Sequence, residues 1–343
     1  IDASVTVDMN GNTLGVTGAT DIDGILTVAA STLTLDGGSD IDGTITVSTG
    51  TVDANGTFDA TGGTIDINDA GDLQLAGVVT SLGDVSIDFG TVTYDGAGDQ
   101  AIVADDYFSL TAGGGAGIKT LAGVVTVAGA LAIDAGVTIA MGINNLTVTG
   151  ATTIPGAVTI TTATLDANGT FDATGGTITF TEAGNLNLAG TVTDLGTLTS
   201  VDFGTVTYDG PGDQAIVADD YFSLTAGGGA GTKTLGGAVT VGNDLIIDTD
   251  VTIGMDTYDL TVTGAANIVG TLTVAANTLT LDGTSDIDGT ITVSTGTVDA
   301  NGTFTAEGGT ITFTGAGNLN LASTVTDLGT LSTNFGKVTY DGT

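Results

Sequence analysis

The sequence predicts an all-β chain folded as a right-handed parallel β-solenoid (a β-helix) with coils of about 19–20 residues and no substantial helix. Three observations lead there. β-branched residues and Gly dominate, long internal repeats run through the whole chain, and one repeat copy lacks a coil-length segment while both of its flanks stay in register.

Composition narrows the alternatives. The 343 residues include 57 Gly, 2 Pro, no Cys, no His and no Trp. Val, Ile, Leu and Thr suit pleated, half-buried strands, and the Leu/Glu/Lys/Arg mixture of amphipathic helices is missing. With 41% hydrophobic residues the chain has material for a core, which acidic disordered chains lack. Forty acidic residues against three lysines give a formal net charge of -37. Such a surface repels nucleic acid and anionic membranes. No apolar run approaches the roughly 20 residues of a spanning helix, so membrane insertion is not expected. Without Cys or His there is no disulfide, no thiolate or imidazole metal site and no Cys/His or Ser/His/Asp catalytic pair. The chain opens on Ile1 with no basic or apolar leader, so a signal peptide is expected to have been removed, or the chain is a piece of something longer.

The repeats set the architecture. Residues 1–97 align without a gap to 247–343, with 65 identities in the 97 pairs, and the stretch Thr32–Phe58 recurs almost unchanged as Thr278–Phe304. A further copy lies between them, since DANGTFDATGGTI at 53–65 recurs at 166–178 and GDQAIVADDYFSLTAGGGAG at 98–117 recurs at 212–231. The divisions are a module at 1–132, a shorter one at 133–246 and a partial third at 247–343, expected as one continuous rod. Ile22 and Asp53 are 31 residues apart where their counterparts Ile154 and Asp166 are 12 apart. Excising 19 residues would wreck a globular core. A solenoid simply loses one coil and its neighbours restack.

The coil itself is legible as Gly-x-apolar-Thr-apolar. It occurs at Gly24, Gly43 and Gly63, then at wider spacing at Gly90 and Gly123. Period-2 alternation sends Ile45 and Val47 to one side and Thr44 and Thr46 to the other. Asn55-Gly56, Asp36-Gly37 and Gly62-Gly63 read as corners, supplying positive φ. An antiparallel meander would also carry Asn-Gly turns, but it has no reason to keep a coil-length deletion in register. Stacking at about 4.8 Å gives about 17 coils and a rod on the order of 80 Å. Ile1–Val7 and Lys337–Tyr340 read as ordinary core strands rather than caps, so the stack is expected to continue, covalently or by end-to-end contact with identical chains.

Segments such as GTVTYDGAGDQAIVADDYFSLTAGGGAGIKTLAGVVTV at 90–127, with its copy at 204–241, resemble the β-strand repeats of very large secreted bacterial surface proteins. They are similar in style to filamentous-haemagglutinin-type and autotransporter β-helix adhesins. The resemblance covers the whole chain in repeat style, without a diagnostic motif. It implies an extracellular or cell-surface adhesin stalk or fibre, and carries over no catalytic or ligand residue.

Candidate sites stand beside plainer readings. Asp21 and Asp23, Asp40 and Asp42, and Asp286 and Asp288 each bracket an Ile at a strand end, and Asp66, Asp69 and Asp72 add oxygen ligands. Ca²⁺ takes 6–8 oxygens, so stacked corners of this kind could hold it. Both the nonapeptide calcium repeat and the EF-hand spacing are missing, and the plainer role of these Asp residues is to end strands and solvate corners. Paired carboxylates also cleave glycosides. Here, however, the aromatics recur at fixed module phases, at Phe58/Phe171/Phe304, Tyr94/Tyr208/Tyr340 and Tyr107/Tyr221, which reads as internal stacking or a face ladder. A catalytic site would occur once, so no enzyme activity is expected. Lys119 and Lys233 are read as surface partners of Asp on a neighbouring coil. GGGAG at 113–117 and 227–231 lacks the Lys-Ser/Thr ending of a phosphate loop and reads as a corner. Asn55, Asn145, Asn168 and Asn301 lie in Asn-x-Thr sequons, open to glycosylation or, for the three Asn-Gly cases, plain type I′ turns.

The expected role is a structural extracellular fibre or stalk, self-associating or part of a longer repeat chain. An adhesin binding glycan or a surface is the alternative, and a polysaccharide-cleaving β-helix a more distant one. No cofactor is expected beyond Ca²⁺ at the acidic corners. Deleting residues 24–42, one whole coil, should leave a folded protein with β-type circular dichroism. Deleting only 24–33 should turn inward residues outward and unfold that module.

Overall fold

The computed structural model of the chain describes residues 1–85, 88–200, 203–332 and 334–342. Among these residues the structure is strand and turn with no helix, and the strands stack as a β-solenoid of about 16 coils, each of roughly 20 residues. Two compact units are formed, Ile1–Thr179 and Phe180–Thr343. Sequence copies and compact units are different divisions, because the copy at 133–246 contributes to both.

In the first unit each coil supplies three short strands, and within a stack each strand pairs in parallel with its neighbours one coil before and one coil after. Thr6–Asp8, Ile25–Val28, Thr44–Val47 and Thr64–Ile67 make one stack. Leu14–Val16, Thr32–Leu35, Thr51–Ala54, Asp72–Leu75 and Thr91–Tyr94 make the second, which runs on through Ser109–Ala112, Leu131–Ile133 and Thr152–Thr153 to Phe171–Asp172. Thr20–Ile22, Ser39–Ile41, Phe58–Asp59 and Val79–Ser81 make the third. Beyond it, new stacks start at Gln100–Ile102 and Asp106–Tyr107. The second unit has the same plan, with stacks that include Asn185–Leu188 with Thr205–Tyr208, Gln214–Ile216 with Gly231–Leu235, and Asp220–Tyr221 with Val239–Val241. Among the described residues the pairings are parallel, which disposes of the antiparallel meander.

Register explains the core. Leu26 lies over Ile45 and Ile45 over Ile65, while Leu33, Val52, Leu73 and Val92 form a second column. All of these are buried. The intervening Thr44 and Thr46 stay partly exposed, as the alternation requires. Burying one such Leu, Ile or Val contributes about 1.5–3 kcal/mol, so stability accumulates coil by coil.

The corners differ from expectation in one respect. Gly62 has φ of 88°, as a tight turn demands, yet Asn55, Gly56, Asp36 and Gly37 are not among the positive-φ residues. The Asn-Gly corners are therefore not type I′ turns. Their glycines answer a different constraint, the approach of one coil to the next. A Cβ on Gly37 would lie 2.2 Å from the Gly18 carbonyl oxygen, and one on Gly56 would lie 2.1 Å from that of Gly37. Glycine stacks on glycine because two backbones meet there.

Sequence copies do not land on the same face. Phe58 belongs to the stack containing Thr20–Ile22, but its counterpart Phe171 belongs to the stack containing Leu14–Val16. The offset of 113 residues is about five and two-thirds coils of 20. In the second unit, Asn185–Leu188 and its counterpart Asn318–Leu321 likewise lie in different stacks, 133 residues or about six and two-thirds coils apart. Losing one whole coil shortens the repeat but keeps the two-thirds remainder. Phe58, Phe171 and Phe304 all point inward, as do Tyr94, Tyr208, Tyr107 and Tyr221, whereas Tyr340 and the repeated Phe89, Phe203 and Phe335 are exposed; the three buried phenylalanines do not line up as a ladder on one face.

Gly56→Ala should destabilise the protein by about 1–3 kcal/mol because the new methyl overlaps a backbone carbonyl. Gly98→Ala, where a Cβ meets nothing within 4 Å, should change stability by less than about 0.5 kcal/mol. Urea midpoints of the two variants check this.

Candidate functional site

Acidic residues form the most exposed chemical feature of the first unit. Parallel register stacks Asp21 on Asp40 and Asp40 on Asp59, one carboxylate per coil, at a repeat of about 4.8 Å. Ile22 and Ile41 turn inward, which leaves Asp23 and Asp42 exposed on the same rim. Repulsion is the consequence. The carboxylate of Asp42 first, slight burial next, and then Asp59, Asp21 and Asp23 hold the Asp40 pKa above its ordinary value. In the second unit the column does not form, because Asp286 lies between Asn267 and Thr305. Asp288 is exposed beside it.

The remaining acidic candidates are not brought together. Asp66 accepts from Asn68 Nδ2 at 3.2 Å, while Asp72, on another stack, accepts from Gln74 Nε2 at 2.6 Å and Thr93 Oγ1 at 3.0 Å. Asp69 is exposed between them. Among the described residues, no group of three or more carboxylates is arranged to hold a metal ion.

All four sequon asparagines are exposed at corners. Asn55 Nδ2 donates to Asp36 Oδ1 at 3.2 Å, and Asn301 Nδ2 to Asp282 Oδ1 at 2.9 Å, each spanning one coil. Asn145 Oδ1 accepts the Thr164 backbone N–H at 2.9 Å. Asn168 occupies the Asn55 position of its own copy.

Lys119 and Lys233 overturn the expectation of surface pairing. Both are fully buried. Lys119 Nζ donates to Gly96 O at 2.7 Å, Gly98 O at 3.1 Å and Gln100 Oε1 at 2.5 Å. Lys233 repeats this with Gly210, Gly212 and Gln214 at 2.6, 2.9 and 2.6 Å. Burial lowers both lysine pKa values, opposed by Asp95 and Asp99 around one and by Asp209 and Asp213 around the other.

The glutamine is the residue that sequence reasoning missed. Gln100 Oε1 accepts the Gly96 N–H at 2.9 Å, and Nε2 donates to Leu75 O at 2.8 Å and Gly77 O at 2.9 Å. It thereby bridges to the coil below at a place where Val79–Ser81 and Gln100–Ile102 belong to different sheets. Nearby, the Tyr94 and Tyr107 hydroxyls lie 3.0 Å apart; the Val103 N–H donates to Tyr94 at 3.0 Å, and Tyr107 donates to Val103 O at 2.7 Å. Burial raises the Tyr94 pKa to about 12 and pushes Tyr107 higher still. Tyr208, Tyr221 and Gln214 reproduce the arrangement. The sequence held a signal for it, because Gln100 and Lys119 are 19 residues apart, one coil.

No family model, curated protein or solved structure matches the chain.

An acid whose pKa is higher in the folded than in the unfolded chain binds its proton more tightly when folded, so stability increases as pH falls through that pKa. Asp40→Asn should therefore raise the melting temperature at neutral pH and low salt. The gain should shrink near pH 4 and in 1 M NaCl, where protonation or screening removes the repulsion. Calorimetry across pH and salt measures it.

Proposed function

We propose that this chain is a non-catalytic structural element of an extracellular fibre or stalk, acting with further coils of a longer repeat chain or with copies of itself. The observation that carries this reading is the two-thirds-coil remainder in the repeat. Sequence copies of different length keep the same step between faces, which is what a stack selected for uniform coils would retain. A site built once for a substrate gains nothing from such regularity.

Electrostatics supports the reading. A parallel stack of short strands risks edge-to-edge aggregation, and an acidic surface keeps neighbouring stacks apart. The aromatics Phe58, Phe171, Phe304, Tyr94 and Tyr208 are buried rather than arrayed as sugar platforms, which favours a structural role over polysaccharide cleavage. The test is immunogold labelling of the source cells with antibodies to this chain. Label should follow filaments outside the cell, and label confined to the cell interior would contradict the proposal.

A further inference from the structure

The stack has a slot that side chains bridge without filling. Val79–Ser81 ends one sheet and Gln100–Ile102 begins another, and no ladder joins them. Along a parallel strand, alternate residues direct N–H and C=O to the same neighbour. Val78 O accepts from Phe58 N and so faces the coil below, whereas Gly77 O accepts from Gln100 Nε2 and faces the slot. Val79, two residues on from Gly77, therefore presents its N–H and C=O to the slot as well. On the opposite wall, Ile102 O accepts from Ala122 N and points away, which turns Ala101 toward the slot. Val103 follows in the same sense, and the two tyrosine hydroxyls satisfy it.

The Gln100 side chain reaches from one wall to the other, its Nε2 donating to Gly77 O at 2.9 Å. Gln100 occupies one end and the tyrosines the other. Between them lies a cavity of about 360 Å³ lined by Ala76, Gly77, Val78, Val79, Asp99, Gln100 and Ala101. Val78 and Ala101 are exposed at its mouth. The second unit repeats the plan. Gln214 Nε2 donates to Leu188 O and Gly190 O, Ile216 O accepts from Gly236 N, and Tyr208 accepts from Val217 N.

We propose that each slot receives an extended, positively charged peptide segment of a partner protein, which pairs as an added strand with the Val79 and Ala101 walls, and with Val192 and Ala215 in the second unit. Strand addition fits because both walls turn backbone groups toward the slot and no ladder joins them. Charge selects the partner. Asp99 lines the slot, the chain carries -37, and two of its three lysines are buried. A segment of a second acidic copy would be repelled, whereas a segment alternating basic with small apolar residues would be drawn in. This inference is independent of the fibre reading.

The probe is a fluorescent Lys-Val-Lys-Val-Lys peptide titrated against the full chain at low salt, followed by anisotropy. Two controls carry the same charge: the peptide N-methylated at alternate amides, and an alternating Lys-Pro peptide. The strand-forming peptide should bind saturably, with at least tenfold weaker binding for both controls. Ala101→Pro combined with Ala215→Pro removes the slot-facing N–H groups at unpaired edges that tolerate proline. It should reduce binding at least tenfold with circular dichroism unchanged. Equal affinity for all three peptides, or no saturable binding of the first, would overturn the proposal. The peptide comparison uses the unaltered protein and holds even if the double variant fails to fold.

Discussion

Everything in this protein follows from the parallel backbone ladder between one coil and the next. Because strands within a stack pair with counterparts about 20 residues away, neighbouring coils must present similar residues at similar heights. Leu26, Ile45 and Ile65 share a column for that reason, and so do Asp21, Asp40 and Asp59. The ladder rewards like on like inside, where apolar contacts add up. Outside, the same stacking sets like charges side by side, as at Asp40. A single constraint thus produces both the core and its main electrostatic cost.

The ladder also explains where glycine and buried polar groups belong. Where corners stack, the backbones of successive coils come too close for a Cβ, so Gly37 and Gly56 are fixed by their neighbours along the stack. Where the ladder is interrupted, side chains take over its hydrogen bonds. Gln100, Lys119, Tyr94 and Tyr107 satisfy carbonyls and N–H groups that a strand would otherwise engage, and their counterparts do so again in the second unit. A buried ammonium is tolerable there because three oxygens surround it.

Much of the fold was legible in the sequence, since alternation and coil-length periodicity are direct imprints of the ladder. The deletion between Ile154 and Asp166 was the clearest sign, because only whole coils can be lost without moving residues between faces. Corner chemistry was less legible. Asn55-Gly56 has the same letters as a type I′ turn, and whether glycine serves positive φ or close approach depends on the coil beneath it. The buried lysines were missed for a related reason. Lys119 looks like a surface charge until Gln100, one coil earlier, and the Gly96 and Gly98 carbonyls are seen around it. The acidic candidates divided along the same lines: Asp21 and Asp40 share a column, whereas Asp66 and Asp72 fall on different stacks.

The most direct test of the ladder is a set of electron–electron distances along one outward-facing column. Register places Thr34, Asp53, Gln74, Thr93, Thr111, Ala132 and Thr153 on successive coils. Spin labels at Thr34 paired in turn with Thr111, Ala132 and Thr153 are four, five and six coils apart. At about 4.8 Å per coil, backbone separations of roughly 19, 24 and 29 Å should result, rising by one constant step. Distances that fail to rise with coil number, or that fall between Thr111 and Thr153, would contradict the stacked parallel arrangement.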